Sequence, residues 1–384
     1  MKKMAKNPFI PFSRPWIDDT EIEAVSQVLA SKWISTGNRV REFERSFAEY
    51  LGVKHAIAVS SCTHALHLSL VVTGIGNGDE VITTPYTFTA TAEAIRYVGA
   101  KPVFVDIEPD TLNIDITQIE QAITPRTKAI LPVHFAGLPC DMEALQDLCR
   151  NHNLVLIDDA AHAIPTEYKG QYIGNIGDLS AFSFYANKNL TTGEGGMITT
   201  NNDAFAKPLR TMRLHGIDKD AWARQSERDI WRYDIATEGY KYNMTDIQAA
   251  MGLCQLIKLN KQHERRRDLA QIYQTELANF PQISTPVAPE NPSEHSWHLY
   301  IIQLPPGERD GFIRALSEAN IECSVHYIPL HLFEFYQEHY GYRVGDFPCA
   351  EAAFEGVVSL PLHPGLTEEE IHIVIDEIGK ILGP

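Results

Sequence analysis

The stretch "SAFSFYANKNLTTGEGGMITT", residues 180–200, decides the interpretation of the chain because an apolar run ends near a single lysine. The aromatic run is typical of a core strand, and the segment after Lys188 is rich in Thr and Gly. Lysine is rarely buried, because its ammonium group loses hydration in the interior. Lys188 therefore either extends to water from a strand edge or takes part in chemistry.

Working outward from this stretch, short apolar runs alternate with helical patterns and predict an α/β fold. Strands are predicted at 55–61, 79–85, 101–108, 127–135, 153–160, 180–186 and 195–200, and helices at 63–75 and 89–99. Apolar runs without alternation indicate strands that helices cover on both faces, as in a mostly parallel sheet. Such sheets bind ligands at the carboxyl ends of their strands.

The second half of the chain has a different pattern. A long helix is predicted at 244–280, followed by a Pro-rich loop at 281–295. Strands at 296–304 and 321–327 and helices at 309–320 and 367–382 complete the prediction. We therefore expect a large α/β domain at 1–255, and a bridging helix with a small C-terminal α+β domain at 256–384.

Composition excludes several classes of protein. The chain has 33 basic and 50 acidic residues and a formal charge of −17, which argues against nucleic acid as a partner. None of the six cysteines forms a C-x-x-C pair, which favours reduced thiols and a cytoplasmic location. The N-terminus has no long apolar segment of a signal peptide, and no run is long enough to span a membrane.

Lys188 has possible partners at the ends of other predicted strands. A lysine in a desolvated site has a lowered pKa and can form a Schiff base with an aldehyde such as pyridoxal phosphate. Asp158, Asp159 and His162 follow the strand at 153–160, and a carboxylate there could pair with a pyridinium nitrogen. Helix capping by Asp and a metal site built from the same three residues are the alternatives.

Two further clusters complete a set of parts for pyridoxal phosphate. Ser60, Ser61, Cys62 and Thr63 lead from a strand directly into a helix, whose free N–H groups suit a phosphate, although an ordinary N-cap has the same composition. In "TTPYTFTAT", either Tyr86 or Phe88 could stack on an aromatic ring. Each signal is weak alone, but their joint order along the chain predicts that Lys188 anchors the aldehyde.

These residues lie in motifs that resemble the DegT/DnrJ/EryC/StrS family of nucleotide-sugar aminotransferases, which have fold type I of the pyridoxal-phosphate enzymes. The likeness runs from residue 11 to residue 370. The matching motifs are "WISTGNRVREFE", "VSSCTHALHL", "GDEVITTPYTFTATAEAI", "PVHFAGLPCDM", "IDDAAHA", "FSFYANKNLTTGEGGMI", "GYKYNMTDIQAAMGL" and "VHYIPLH".

The resemblance implies a role for each matching residue. Lys188 binds the cofactor aldehyde, Asp159 pairs with the pyridine nitrogen, and His162 lies against the ring or its phenolic oxygen. Phe88 stacks on the ring. The residues expected to hold the phosphate are Thr63, His64 through its backbone, Ser183, and Asn243 from the neighbouring subunit of a homodimer. The candidate residues for the sugar nucleotide are Arg14, Trp33, Ser35, Thr36, Lys241, His326 and Tyr327.

The resemblance also implies the reaction. The amino donor is L-glutamate, the acceptor is a keto-sugar carried on a nucleotide diphosphate, and the two half-reactions follow ping-pong kinetics. Cys62 and His64 replace smaller residues of many members, and "GYKYN" replaces the common "NYR" form. The "GYKYN" form resembles the branch that aminates C4 of UDP-4-keto-sugars, without fixing the sugar.

Three other functions are weighed against this one. Sugar dehydratases of the same family carry His in place of Lys188. The second alternative is a non-catalytic regulatory homologue that binds pyridoxal phosphate, or a structural oligomer that kept the fold. The complete set of lysine, aspartate and hydroxyl groups argues against it, and the chain has no added DNA-binding segment. A metal-dependent hydrolase would use Asp158, Asp159 and His162, would be sensitive to chelators and would lack a chromophore.

Overall fold

The structure, a computed structural model, describes residues 7–218, 233–291 and 294–383. Its helices are α1 Asp19–Ser31, α2 Asn38–Leu51, α3 Cys62–Val72, α4 Thr89–Tyr97, α5 Ile116–Ala122, α6 Met142–His152, α7 Asp203–Met212, α8 Asp246–Leu277, α9 Arg309–Glu318, α10 Glu334–Tyr340, α11 Pro348–Gly356 and α12 Glu368–Leu382. Its strands are β1 His55–Val59, β2 Glu80–Thr83, β3 Lys101–Phe104, β4 Thr127–Ile130, β5 Val155–Asp159, β6 Glu167–Tyr168, β7 Gln171–Tyr172, β8 Leu179–Ser183, β9 Gly196–Thr200, β10 Tyr300–Gln303 and β11 Val357–Leu360.

A seven-stranded sheet in the order β1-β9-β8-β5-β4-β2-β3 forms the centre of the molecule. Strand β9 runs antiparallel to both of its neighbours, and the other strands share one direction. Val59 and Ser183, the last residues of β1 and β8, both pair with Gly196. The predicted α/β fold with a mostly parallel sheet is confirmed, and the carboxyl ends of the strands meet at one edge.

Apolar clusters cover both faces of the sheet, which explains the continuous apolar runs in the sequence. One cluster includes Phe43 and Phe47 of α2, and Phe47 packs against Phe182 of β8. The other includes Leu66 of α3 and Ile198 of β9. Residues on both faces of β8 and β9 are therefore buried, as the absence of alternation predicted.

The C-terminal part has its own apolar cluster, which includes Tyr273 of α8 and Tyr300 of β10. The predicted boundary after residue 255 lies inside α8, so the division into two domains stays a prediction. The predicted strand at 321–327 is wrong, because only single bridges form at Ile321 and Ser324. The strand that pairs with β10 is β11, which makes only one bridge to Ser324. The residues after Ser324 are therefore not held in a sheet, and they turn towards the cavity described below.

Two sequence predictions extend beyond the described residues. The N-terminal segment examined for a signal peptide includes residues 1–6, and the Pro-rich loop includes residues 292–293, all of which lie outside them. Across the described ranges, no helix is both long enough and apolar enough to cross a membrane.

Candidate active site

A cavity of about 530 Å³ opens at the carboxyl edge of the sheet. Eight of the residues predicted from the sequence contribute to its wall: Thr63, Phe88, Asp159, His162, Ser183, Lys188, His326 and Tyr327. They come from the first turn of α3, from the ends of β5 and β8 and the turns that follow them, from the start of α4, and from the segment between α9 and α10. Residues that are far apart in the chain therefore meet at the edge where the sequence predicted a ligand.

Lys188 lies in a turn five residues beyond the end of β8. Its backbone N–H donates to the carbonyl of Tyr185 at 3.0 Å, which closes the turn. Burial lowers the pKa of the Lys188 ammonium to about 8, although the negative charge of Asp159 opposes the shift. More of the amine is therefore neutral near neutral pH than in an exposed lysine, which suits a nucleophile or a base.

Asp159 is the last residue of β5 and is buried at the cavity wall. Thr91 Oγ1 donates to one carboxylate oxygen at 2.8 Å, and the backbone N–H of Ala161 donates to the other at 3.1 Å. Burial raises the pKa of Asp159, while these two hydrogen bonds and the positive charge of Lys188 act in the opposite direction. The carboxylate is thereby held in place to pair with a cationic group.

Asp158 precedes Asp159 and points to the opposite face of β5, as alternation along a strand requires. It is wholly buried, accepts a hydrogen bond from Ser180 Oγ at 2.7 Å, and does not line the cavity. Burial raises the pKa of Asp158 to about 7. Asp158, Asp159 and His162 therefore do not converge, and no group of three or more metal-ligating side chains occurs in the described part of the chain.

His162 and two aromatic residues form another part of the wall. The phenolic oxygen of Tyr327 lies 3.2 Å from His162 Nε2, whereas the buried Nδ1 of His162 has no hydrogen-bond partner. Phe88 lines the cavity and is 59% exposed. Tyr86, the other stacking candidate, is fully buried outside the cavity lining and donates to the carbonyl of His326 at 2.8 Å.

The N-terminus of α3 also faces the cavity, through Ser61 and Thr63. Ser61 is the N-cap, and its hydroxyl accepts a hydrogen bond from the backbone N–H of His64 at 3.1 Å. The His64 imidazole does not line the cavity but stacks on Tyr242, with ring centroids 3.7 Å apart. Hydroxyl groups and a helix N-terminus together form a suitable anion site.

The remaining candidates lie outside the cavity lining: Arg14, Trp33, Ser35, Thr36, Lys241 and Asn243. Four of them form one hydrogen-bonded group. Asn243 donates to the hydroxyl of Thr36 at 2.6 Å and accepts from Lys241 at 2.6 Å, and Trp33 Nε1 donates to the carbonyl of Thr36 at 3.1 Å. Arg14, Ser35 and Lys241 are exposed. We call Trp33, Thr36, Lys241 and Asn243 the outer cluster.

The sequence analysis missed several residues of the wall, including Thr91, Asn187 and His298. His298 Nε2 lies 3.4 Å from Lys188 Nζ, and the buried amide oxygen of Asn187 has no partner. Asn187 adjoins the predicted lysine, and Thr91 belongs to the hydroxyl-rich segment "TFTAT", so both had a weak signal. His298 lies in the strand-like run "SWHLYIIQL", where nothing distinguished it from a core residue.

Comparison with known proteins gives a consistent result. The model of the DegT/DnrJ/EryC1/StrS aminotransferase family matches residues 15–379. The chain is 47% identical over 382 residues to the spore coat polysaccharide biosynthesis protein SpsC of Bacillus subtilis, covering 98% of each.

Two solved proteins illustrate the structural likeness. The putative sugar aminotransferase Spr1654 from Streptococcus pneumoniae, in its PMP form, has a TM-score of 0.91 at 38% identity and covers 97% of this chain and 99% of its own. The PLP form of Spr1654 has a TM-score of 0.90 at 37% identity, covering 98% of this chain and 99% of its own. Helicobacter pylori PseC, an aminotransferase involved in the biosynthesis of pseudoaminic acid, has a TM-score of 0.91 at 31% identity over 98% of this chain and 99% of its own.

Proposed function

Because the chain belongs to the DegT/DnrJ/EryC1/StrS aminotransferase family, we propose that it aminates the keto group of a nucleotide-linked keto-sugar, at C4, with L-glutamate as the donor. The enzyme is a pyridoxal-phosphate-dependent aminotransferase of fold type I. The observation that carries the proposal is the placement of Lys188 and Asp159 on the wall of one cavity. The names of SpsC, Spr1654 and PseC support a sugar as the acceptor.

The residues of the cavity fit the chemistry of pyridoxal phosphate. The amine of Lys188 would hold the aldehyde, and the carboxylate of Asp159 would pair with the ring nitrogen. Thr63, Ser183 and the N-terminus of α3 would hold the phosphate, and the His64 backbone N–H would donate to it in place of the Ser61 hydroxyl. The unpartnered Nδ1 of His162 offers a polar contact for the ring substituents, and Phe88 offers a stacking face.

Lys188 would carry the proton transfers. The bound cofactor supplies an electron sink for the carbanion formed at the donor α-carbon. The free Lys188 amine would take the α-proton of the donor onto Nζ, hold it there and release it again to complete the transfer. The keto-sugar would then enter the same cavity, and Lys188 would move the proton in reverse. Two successive half-reactions at one site lead to ping-pong kinetics.

The sugar nucleotide would contact two groups of residues. His326 and Tyr327 line the cavity and would face the sugar. The outer cluster, with Arg14 and Ser35, lies outside the cavity of its own chain, which supports a homodimer in which these residues serve the neighbouring site. In that arrangement Asn243 reaches the phosphate of the neighbouring subunit's cofactor. The "GYKYN" likeness supports C4, and the composition supports a cytoplasmic enzyme.

Two alternative functions exist within the family, a sugar dehydratase and a non-catalytic regulatory protein. A sugar dehydratase of this family has His at the position of Lys188, whereas the amine is present here with a lowered pKa. A regulatory homologue that binds pyridoxal phosphate without catalysis would keep the same residues, and turnover with L-glutamate separates it from an aminotransferase.

The test is spectroscopic. Purified protein loaded with pyridoxal phosphate should lose its visible band when L-glutamate is added, as the cofactor takes up the amino group. The band should return with UDP-4-keto-sugars but not with matched 3-keto-sugars, and Lys188→Ala should show neither change. A protein that binds the cofactor but leaves L-glutamate unreacted would refute the proposal, and a response to 3-keto-sugars alone would refute C4.

A further inference from the structure

His298 lies on the cavity wall beside Lys188, and the reaction outlined above assigns it no role. Its side chain is buried, with 4% of the residue exposed, and its Nε2 lies 3.4 Å from Lys188 Nζ. The His298 ring also packs against the His162 ring, with the two ring centroids 4.4 Å apart. The imidazole therefore touches the atom that would hold the cofactor and move the proton.

Asn189 determines which nitrogen of His298 carries the hydrogen. Its amide nitrogen donates to the carbonyls of Ile164 at 3.0 Å and Ser296 at 2.9 Å, so both N–H bonds are used. Its amide oxygen consequently faces His298 Nδ1 at 3.2 Å and can only accept. Nδ1 must therefore be the donor, and in a neutral imidazole the lone pair lies on Nε2.

The surroundings keep the His298 ring neutral. Burial lowers its pKa well below the usual value, and the positive charge of Lys188 contributes in the same direction. The other titratable groups that face it are His162, Arg266 and His326, which also disfavour a second positive charge. Nε2 is thus an acceptor that points at the Lys188 amine.

The backbone around His298 is held in a fixed geometry. Trp297 and Ala136 adopt left-handed conformations with φ of 50° and 55°, which are unfavourable for residues with a side chain. The N–H groups of His298 and Leu299 both donate to the carbonyl of Ala136, at 3.0 and 3.3 Å. The buried Arg266 guanidinium donates to the carbonyl of His298 at 3.4 Å and to that of Leu362 at 2.8 Å.

We propose that His298 is a positioning residue that accepts a hydrogen bond from the released Lys188 amine and so directs the lone pair of that amine away from itself. The role rests on the proposed aminotransferase reaction. An amine that donates to Nε2 keeps its own lone pair available for the substrate proton. The other tautomer would donate Nε2–H into that lone pair and block it, which gives the Asn189 contact a functional consequence.

The tautomer can be measured directly in the full chain loaded with pyridoxamine phosphate, in which Lys188 is a free amine. Nitrogen NMR of ¹⁵N-histidine-labelled protein distinguishes protonated from unprotonated ring nitrogens, and His298→Gln identifies the signals that belong to His298. We expect a protonated Nδ1 and an unprotonated Nε2 from pH 6 to pH 8. A protonated Nε2 in this range would overturn the proposal.

The second measurement is the pKa of Lys188 in the same form, from the pH dependence of its labelling by an amine reagent, quantified by peptide mass spectrometry. In His298→Phe the Lys188 side chain loses a hydrogen-bond acceptor. Because the acceptor stabilises the ammonium more than the neutral amine, its loss should lower the pKa of Lys188 by about one unit. His298→Gln retains an acceptor oxygen and should stay close to wild type. An unchanged or raised pKa in His298→Phe would contradict the proposal, with thermal melting as the check on folding.

Kinetics separate this inference from the function on which it rests. The single-turnover rate with L-glutamate should fall about tenfold or more in His298→Phe and recover partly in His298→Gln. If wild type does not react with L-glutamate, the proposed function fails, and the NMR measurement still tests the tautomer of His298 independently. If wild type and His298→Phe react at the same rate, the positioning role fails and the proposed function stands.

Discussion

The cavity and the outer cluster are both polar, but they differ in how completely a single chain builds them. In the cavity, Asp159, His162 and Lys188 lie on one wall, each is at least partly buried, and each pKa is shifted by burial. In the outer cluster, Lys241 is exposed, and Asn243 is hydrogen-bonded to Lys241 and to Thr36.

The difference indicates which part of the proposed active site a single chain can build by itself. Burial and fixed hydrogen bonds would prepare the cavity for the proposed proton transfer before any substrate arrives. The outer cluster does not line that cavity. The proposed dimer would bring it to the cavity of a second chain, so that the chemistry belongs to one subunit and part of the recognition to the other.

The largest effect should come from breaking the cavity at Asp159. Asp159→Asn keeps the shape and one oxygen for Thr91 but removes the negative charge that would hold the ring nitrogen protonated. We expect the single-turnover rate with L-glutamate to fall by about 10²- to 10³-fold, with the cofactor still bound. Stopped-flow absorbance of loaded protein measures this rate.

The control for Asp159→Asn is Thr91→Val, which removes a hydrogen bond to the same carboxylate but leaves its charge. Its rate should fall much less than that of Asp159→Asn. Equal losses in the two variants would mean that the position of the carboxylate matters and its charge does not.

Sequence reasoning found the cavity because its main residues obey a local rule. Thr63, Asp159 and Ser183 each end a strand or follow one closely, and parallel strands bring such positions to one edge. His298 obeys no such rule, since the left-handed residues Ala136 and Trp297 place it there through contacts between distant segments.

Contacts between distant segments also explain why sequence reasoning failed elsewhere in the fold. The apolar pattern at 321–327 resembles a strand, but a pattern does not state which edge is free, and β11 pairs with β10. The motif containing Asn243 was recognisable, whereas its hydrogen bond to Thr36 depends on tertiary packing. Chain order thus predicts positions along one edge of a sheet, and packing decides the rest.

A smaller effect is expected from mixing two inactive variants, but it tests directly whether the outer cluster of one chain serves the cavity of the other. Lys188→Ala lacks the reactive amine, and Asn243→Ala lacks the amide proposed to reach the neighbouring site. If sites are shared, a mixed dimer contains one site with both defects and one site with none. After denaturation and refolding of an equal mixture, activity should reach about a quarter of wild type, because half of the dimers are mixed.

Each variant refolded alone is the control for the mixture. An Asn243→Ala protein that keeps wild-type activity by itself would show that the outer cluster is dispensable. A mixture no more active than the two variants refolded separately would show that each site is built within one chain.

The smallest effect on activity, and a distinct effect on stability, is expected for Asp158, the neighbour of Asp159 on the other face of β5. Its carboxyl group is wholly buried, with a pKa raised to about 7, against about 3.9 in an unfolded chain. Between these values the folded state binds more protons than the unfolded state, so this group lowers stability as the pH rises from about 4 to about 7. Asp158→Asn cannot ionise and should lack this contribution.

Thermal and urea unfolding of both proteins between pH 4.5 and pH 8 measures the difference. Relative to wild type, Asp158→Asn should gain stability with rising pH, by up to about 4 kcal/mol across the full window, and groups that do not interact with Asp158 cancel in the comparison. Because Asp158 does not line the cavity, the rate with L-glutamate should stay within about threefold of wild type. A loss of activity as large as that of Asp159→Asn would mean that the two faces of β5 are not functionally separate.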